Sequence, residues 1–91
     1  MFYVVCYDIS NDKRRNIVAK VLENYAVRVQ ESVFEIICDE EIIKEILNKL
    51  EPIVDKKEDS LRVYTICSSC LKKITVIGVG EVTKDIEVFV V

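Results

Sequence analysis

Residues 2–15 read FYVVCYDISNDKRR, and this stretch carries the strongest structural signal in the chain. The unbroken run of apolar, aromatic and β-branched residues from Phe2 to Tyr7 is typical of a strand buried in a sheet. The run stops at Asp8, and the Ser, Asn and Asp residues that follow can cap an incoming helix. Because ligand sites collect at the carboxyl ends of central strands in open α/β sheets, Asp8 is the first candidate for a functional residue.

Two amphipathic helices are predicted by apolar residues that recur at helical spacing. The first covers residues 12–24, and its apolar face comprises Ile17, Val18, Val21, Leu22 and Tyr25. The second begins at Asp39-Glu40-Glu41, where the helix dipole favours acids, and its stripe comprises Ile42, Ile43, Ile46, Leu47 and Leu50. Pro52 is expected to kink or end this second helix.

Four further strands are predicted, over residues 27–38, 61–66, 74–77 and 86–91. The alternation within residues 27–38 is imperfect, which we interpret as a bulge or twist near Ser32 in one strand. Together the elements predict one α+β domain over residues 1–91, with the ferredoxin-like order βαββαβ and an extra C-terminal strand. In this arrangement an antiparallel sheet carries both helices on one face.

The last predicted strand, residues 86–91, is apolar and would be an aggregation hazard as a free edge. It can pair within its own subunit, or it can be added to the sheet of a second copy. We favour a homodimer because a chain of 91 residues buries only about two-thirds of its unfolded surface by itself.

The composition excludes several classes of mechanism. The chain contains no histidine, so Ser-His, Cys-His and histidine–metal chemistry are ruled out. Hydrolysis would then need carboxylates with a hard cation, a lysine of shifted pKa, or a thiolate. No apolar run approaches the ~20 residues of a membrane span, and no signal-peptide pattern is present. We therefore expect a cytoplasmic protein that does not bind membranes.

Charge is distributed unevenly along the chain. The net charge of −3 argues against an indiscriminate nucleic-acid binder. Residues 13–28, however, contain five basic residues and one acid, whereas residues 31–59 contain ten acids and four bases. Arg14, Arg15 and Arg28 are the best candidates for phosphate contacts, since guanidinium groups match phosphate oxygens. The alternative is that they form a solvated helix face.

The motif Cys67-Ser68-Ser69-Cys70 allows three interpretations. It could be half of a structural zinc site, which usually needs four ligands. It could be a thioredoxin-like redox pair, but such a pair should lead into a helix, and a strand is predicted within four residues of Cys70. We favour a turn whose thiols are incidental or form a local disulfide.

Several segments occur together in a diagnostic order. They are Tyr7-Asp8, the basic residues 13–15, RVQESVFE at residues 28–35, EDSLRVY at residues 58–64, and the Cys67/Cys70 pair. In this combination the chain closely resembles the CRISPR-associated protein 2 family over almost its whole length. The resemblance implies a ferredoxin-like homodimer in which C-terminal strands complete the neighbouring sheet. It also implies partnership with the CRISPR integrase, which inserts fragments of foreign DNA as new spacers.

The resemblance further implies a Mg²⁺-dependent endonuclease acting on single-stranded RNA or duplex DNA. By this resemblance Asp8 is the metal-binding and catalytic carboxylate, with Tyr7 beside it. Arg15, Arg28 and Phe34 correspond to positions implicated in activity, and with Arg14 they form the expected nucleic-acid-binding set. The chain departs from some members at Ile17, where those members have a basic residue.

One carboxylate per subunit cannot build a Mg²⁺ site, which requires near-octahedral oxygen ligands. Two Asp8 side chains facing each other across a dimer axis could do so, together with phosphate and water. The alternative is that Asp8 caps the following helix or pairs with a nearby arginine. If Asp8 has no chemical role, the function would be that of an architectural adaptor that binds nucleic acid without cleaving it. A more distant alternative is a domain that senses a small molecule.

Overall fold

The computed structural model describes residues 1–84, which form a four-stranded antiparallel sheet and three helices. In chain order the elements are β1 (Phe2–Asp8), α1 (Asp12–Glu23), β2 (Val27–Gln30), β3 (Val33–Ile37), α2 (Glu40–Leu50), β4 (Ser60–Ile66) and α3 (Ser68–Leu71). The strands lie in the order β2-β3-β1-β4. This is the ferredoxin-like arrangement of a βαββαβ chain, so the predicted fold class is confirmed.

Strand β1 occupies a central position, paired antiparallel with β3 on one side and β4 on the other. Tyr3, Val5 and Tyr7 belong to the core beneath the helices and are at most 6% exposed. Val4 and Cys6 alternate onto the opposite face of the sheet, where they are half-buried. The unbroken apolar run of β1 follows from this position, because both of its faces are at least partly covered.

Helices α1 and α2 pack on one face of the sheet and share a single core with it. Their buried side chains are Val18, Ala19 and Leu22 from α1 and Ile43, Ile46 and Leu50 from α2. Ile17, predicted to lie on the apolar face of α1, is instead 40% exposed, because Ala19 turns toward the sheet. No helix in the described part of the chain is long and apolar enough to cross a membrane.

Residues 27–38 form a hairpin, so the prediction of one long strand with a bulge was wrong. Strand β2 ends at Gln30 and β3 begins at Val33, with Glu31 and Ser32 in the turn. The two strands pair antiparallel with a register shift between Arg28 and Gln30. The broken alternation near Ser32 reflects a chain reversal, which supplies the extra strand that the ferredoxin-like order requires.

The chain beyond β4 also differs from prediction. Residues 74–77 form no strand, and the short helix α3 lies at the position predicted to be a turn. Gly78 and Gly80 have φ of 99° and 129°, which allows the chain to double back. The Thr83 backbone N–H and hydroxyl then donate to Glu35 Oε1 at 3.1 and 2.6 Å. The predicted strand over residues 86–91 lies outside the described residues.

The core and the exposed face of α1 can be tested with matched alanine substitutions. Ile46→Ala should lower the free energy of unfolding by about 2–5 kcal/mol, because a fully buried side chain leaves a cavity. Ile17→Ala should change the same quantity by less than about 0.5 kcal/mol, because Ile17 is exposed. Urea denaturation followed by circular dichroism measures both, and equal losses would contradict the orientation of α1.

Candidate metal and nucleic-acid site

Asp8 is the last residue of β1, and its side chain is exposed. Asn11 caps α1 by accepting a hydrogen bond from the Arg14 backbone N–H at 2.9 Å. Within residues 1–84, the Asp8 carboxylate makes no ion pair. Neither of the structural roles considered for Asp8, as a helix cap or as an arginine partner, is therefore present. The carboxylate is accessible to a ligand.

Two shallow clefts meet at Asp8. The first, of about 250 Å³, lies between the end of β1, the start of α1 and the β2–β3 turn, and it is lined by Arg15 and Arg28. The second, of about 290 Å³, lies along β1 and β4 and is lined by Arg62. The structure thus brings Asp8 together with two of the three arginines predicted to bind phosphate. Guanidinium groups lie on both sides of the carboxylate.

The carbonyl oxygen of Glu31 organises the β2–β3 side of the first cleft. It accepts hydrogen bonds from Arg28 Nε at 3.0 Å, from Arg28 Nη2 at 2.6 Å and from the Tyr7 hydroxyl at 3.2 Å. The Arg28 guanidinium also lies 5.4 Å from the centroid of the Phe34 ring. Because 43% of the Arg28 side chain remains exposed, its remaining donors can reach a ligand.

Tyr7 and Phe34 support Arg28 from the core. Phe34 is fully buried, so the direct nucleic-acid contact predicted for it is not available, and its ring instead underlies the Arg28 cation. Burial raises the pKa of the Tyr7 hydroxyl, an effect that Arg28 opposes. The neutral phenol donates to the turn and thereby positions it. The catalytic role expected for Tyr7 stays a prediction.

Arg15 approaches the same cleft from the first turn of α1. Its Nη1 donates to the carbonyl oxygens of Ile9 at 3.1 Å and Ser10 at 3.3 Å, and its Nη2 pairs with Asp12. These contacts fix the guanidinium beside the end of β1, while 40% of the side chain stays exposed. A guanidinium has five N–H donors, so Arg15 can bind a phosphate without losing its anchors.

Arg14, the third predicted phosphate contact, has a different environment. Its Nε and Nη2 donate to the two carboxylate oxygens of Asp59 at 2.8 and 3.1 Å. The Asp59 side chain is completely inaccessible and also accepts the Asp55 backbone N–H at 2.9 Å. Arg14 therefore ties the loop before β4 to α1. This tie fixes the start of β4 at Ser60, which lies opposite Asp8 in the sheet.

Two residues around the site, Arg62 and Asp59, are missed by sequence reasoning. Arg62 lies opposite Cys6 in the β1–β4 register and lines the second cleft beside Asp8. Its position depends on long-range strand pairing, which no local pattern specifies. Asp59 belongs to a run of charged residues that is typical of a solvated loop. The sequence contained a clue only in Arg14, the basic residue that needed a partner.

One copy of the chain supplies one carboxylate to a cation at this site. Within residues 1–84, no group of three or more Asp, Glu or Cys side chains is arranged to hold a metal ion. Mg²⁺ in proteins commonly takes one or two carboxylates together with phosphate and water. The exposed, unpaired oxygens of Asp8 fit that requirement as one ligand. A second protein ligand would have to come from another molecule.

The fold and the site define a class of protein: a ferredoxin-like domain with a strand-end carboxylate framed by anchored arginines. The chain belongs to the Cas2 family, because the family model described as CRISPR associated protein Cas2 matches residues 1–74. It is 47% identical to a Chloroflexus aurantiacus protein named CRISPR-associated endoribonuclease Cas2 1, over 94% of this chain and 97% of that protein.

Two further relatives extend this comparison. A Thermus thermophilus protein named CRISPR-associated endonuclease Cas2 2 is 36% identical, over 94% of this chain and 91% of that one. The structural search finds a chain of a solved structure described as a partial Cas6-RT-Cas1--Cas2 complex, with a TM-score of 0.73 and 29% identity. That match covers 84% of this chain and 89% of the other.

The Arg14–Asp59 pair predicts a pH dependence of stability. Hydrogen bonding to Arg14 lowers the pKa of Asp59 below its ordinary value of 3.8. A carboxyl whose pKa is lowered by folding stabilises the protein above its unfolded-state pKa, and this stabilisation is lost as the pH falls through the folded-state pKa. In urea denaturation, the difference in free energy of unfolding between the wild type and Asp59→Asn should be constant from about pH 5 to 7 and shrink below about pH 4.

Glu58→Gln is the matched control, because Glu58 meets the same guanidinium at 3.2 Å but is 64% exposed. Its effect on stability should be near zero at every pH. A difference between wild type and Asp59→Asn that grows as the pH falls would contradict the assigned role of Asp59.

Proposed function

We propose that this chain is a homodimeric, Mg²⁺-dependent endonuclease of the CRISPR spacer-acquisition machinery that works with the integrase Cas1. The observation that carries the proposal is the unpaired Asp8 carboxylate at the end of the central strand, between clefts lined by Arg15, Arg28 and Arg62. The names endoribonuclease and endonuclease given to relatives support the class of reaction. The similar chain in a Cas1–Cas2 complex supports the partner.

The sheet face opposite the helices is the dimer surface of this proposal. Its centre contains the half-buried Val4 and Cys6, with Tyr64 beside them at 47% exposure. Asp8 alternates onto this same face, two residues beyond Cys6. A two-fold axis brings the same patch of each subunit together. Stacking two such faces would therefore place both Asp8 residues within one interface.

In this dimer, the Asp8 carboxylate of each copy would hold Mg²⁺. The ion, when bound, would supply positive charge beside the phosphate in a chain that has no histidine. It would also offset the mutual repulsion of the two carboxylates, which disfavours their approach otherwise. The distribution of ligands over two subunits explains why residues 1–84 of a single copy contain no complete metal cluster.

Arg15 and Arg28 would bind the phosphodiester backbone on either side of the scissile bond. Both are held by backbone carbonyl groups, so little further side-chain freedom is lost when phosphate binds. Charge-assisted hydrogen bonds from such fixed guanidinium groups are strong and directional. Phosphate contacts carry no base information, so we expect weak sequence preference. The substrate could be RNA or duplex DNA.

A second function, that of an architectural adaptor, is favoured by the Cas1–Cas2 neighbour alone. An adaptor needs the arginines and the dimer, but it needs no chemistry at Asp8. The two functions therefore differ in what happens when Asp8 is neutralised.

Neutralising Asp8 tests the catalytic proposal. Asp8→Asn should reduce Mg²⁺-dependent cleavage of labelled RNA or DNA by roughly 100-fold or more, because an amide is a much weaker ligand for a hard cation. Glu45→Gln, which removes an exposed acid on α2, should leave cleavage unchanged. Chelator should abolish cleavage by the wild type.

Cleavage that survives Asp8→Asn would overturn the nuclease assignment. Spacer acquisition in cells separates the two functions. The adaptor is supported if acquisition continues with Asp8→Asn, whereas the nuclease is required if acquisition stops.

The dimer surface is tested by placing a charge on the open face. Tyr64→Glu should shift the protein from dimer to monomer in sedimentation experiments, because an unpaired carboxylate is costly to bury in an apolar interface. Lys44→Glu, an exposed substitution on α2, should leave the dimer intact. A wild type that is monomeric at micromolar concentration would refute the proposed assembly.

A further inference from the structure

The Cys67/Cys70 pair takes no part in the proposed nuclease site. Both thiols are exposed, at the junction where β4 ends and α3 begins. Cys67 is the residue before the first turn of α3, and Cys70 lies within that turn. The sequence predicted that a strand would follow this motif, and that was the reason to set aside a redox pair. The observed helical turn removes the objection.

The backbone of this turn holds the two cysteines on the same side. The Cys67 carbonyl accepts the Leu71 N–H at 2.8 Å, and the Cys70 carbonyl accepts the Lys73 N–H at 2.9 Å. Residues three apart on a helix have Cβ atoms about 5–6 Å from each other. A disulfide needs about 3.5–4.5 Å between Cβ atoms, so a local adjustment of about 1–2 Å brings the sulfurs into bonding distance.

The two thiols are chemically unequal. The Cys67 Sγ lies 3.3 Å from the Ser69 Oγ, and hydrogen bonding from Ser69 and Cys70 lowers the pKa of Cys67 to about 7. The same contact raises the pKa of Cys70. By contrast, burial raises the pKa of Cys38. Cys67 is therefore suited to attack and Cys70 to resolve.

We propose that Cys67 and Cys70 form a redox-active dithiol that is oxidised to an internal disulfide by a small disulfide such as oxidised glutathione. The Cys67 thiolate attacks one sulfur of the small disulfide, forms a mixed disulfide and releases one small thiolate. Cys70 then loses its proton and attacks the Cys67 sulfur, forming the internal disulfide and releasing the second small thiolate. The two protons lost by the cysteines are taken up by the released thiolates.

A zinc site is the competing assignment, because two thiolates are half of a four-ligand set. The observations favour the redox pair: within the described residues no third Asp, Glu or Cys joins Cys67 and Cys70 in a metal-binding group. The thiols are also open to a small reactant, as a dithiol that exchanges with small disulfides must be.

The test uses the full chain with Cys6→Ser and Cys38→Ser, which retains only the pair. The protein is equilibrated with glutathione buffers of increasing oxidised fraction, trapped with a maleimide and analysed by mass spectrometry. We expect an internal Cys67–Cys70 disulfide to appear as the oxidised fraction rises. We expect the reduced form to alkylate at Cys67 roughly 5-fold or more faster than at Cys70 at pH 7.

The matched control carries Cys67→Ser and Cys70→Ser and keeps the other two cysteines; it should form no internal disulfide. The proposal is overturned if the pair yields only mixed disulfides or stays reduced in the most oxidising buffer. It is also overturned if the untreated protein contains tightly bound Zn²⁺ that chelator must remove before the thiols react. Circular dichroism of each variant establishes that it is folded.

Discussion

The pairing of β1 with both β3 and β4 is the constraint on which the site depends. It makes β1 the strand with hydrogen-bonded neighbours on both edges, and it fixes which side chains face the helices. Because side chains alternate, Asp8 must lie on the same face as Val4 and Cys6. The first strand therefore determines both the core and the direction of the only acidic side chain that it carries.

The arginines show how one residue type serves two purposes at one end of a sheet. Arg15 and Arg28 are anchored by backbone carbonyl oxygens, which hold the cation without neutralising it. Arg14 meets an inaccessible carboxylate, which neutralises it and turns it into a structural tie. The difference lies in the partner, since a carbonyl leaves net positive charge available to a phosphate and a carboxylate does not.

Local patterns predicted β1, both long helices and the position of Asp8, because each depends on residues close in sequence. They failed where the outcome depended on distant residues. The turn at Glu31 and Ser32 contains neither glycine nor proline, so only the pairing of β3 with β1 shows that the chain reverses there. Likewise, the basic residues 13–15 look equivalent in sequence, and their separate roles arise from Asp59, which lies 45 positions beyond Arg14. The core position of Phe34 was hidden for the same reason.

The contact between Thr83 and Glu35 has a consequence for assembly. Glu35 lies beside Val4 in the β1–β3 register, so the returning tail already covers one half of the sheet surface where two copies would meet. A newly synthesised molecule is thus its own competitor. Subunit pairing must displace this latch or take it over, and the speed of partner exchange would follow the rate of unlatching more closely than the rate of collision.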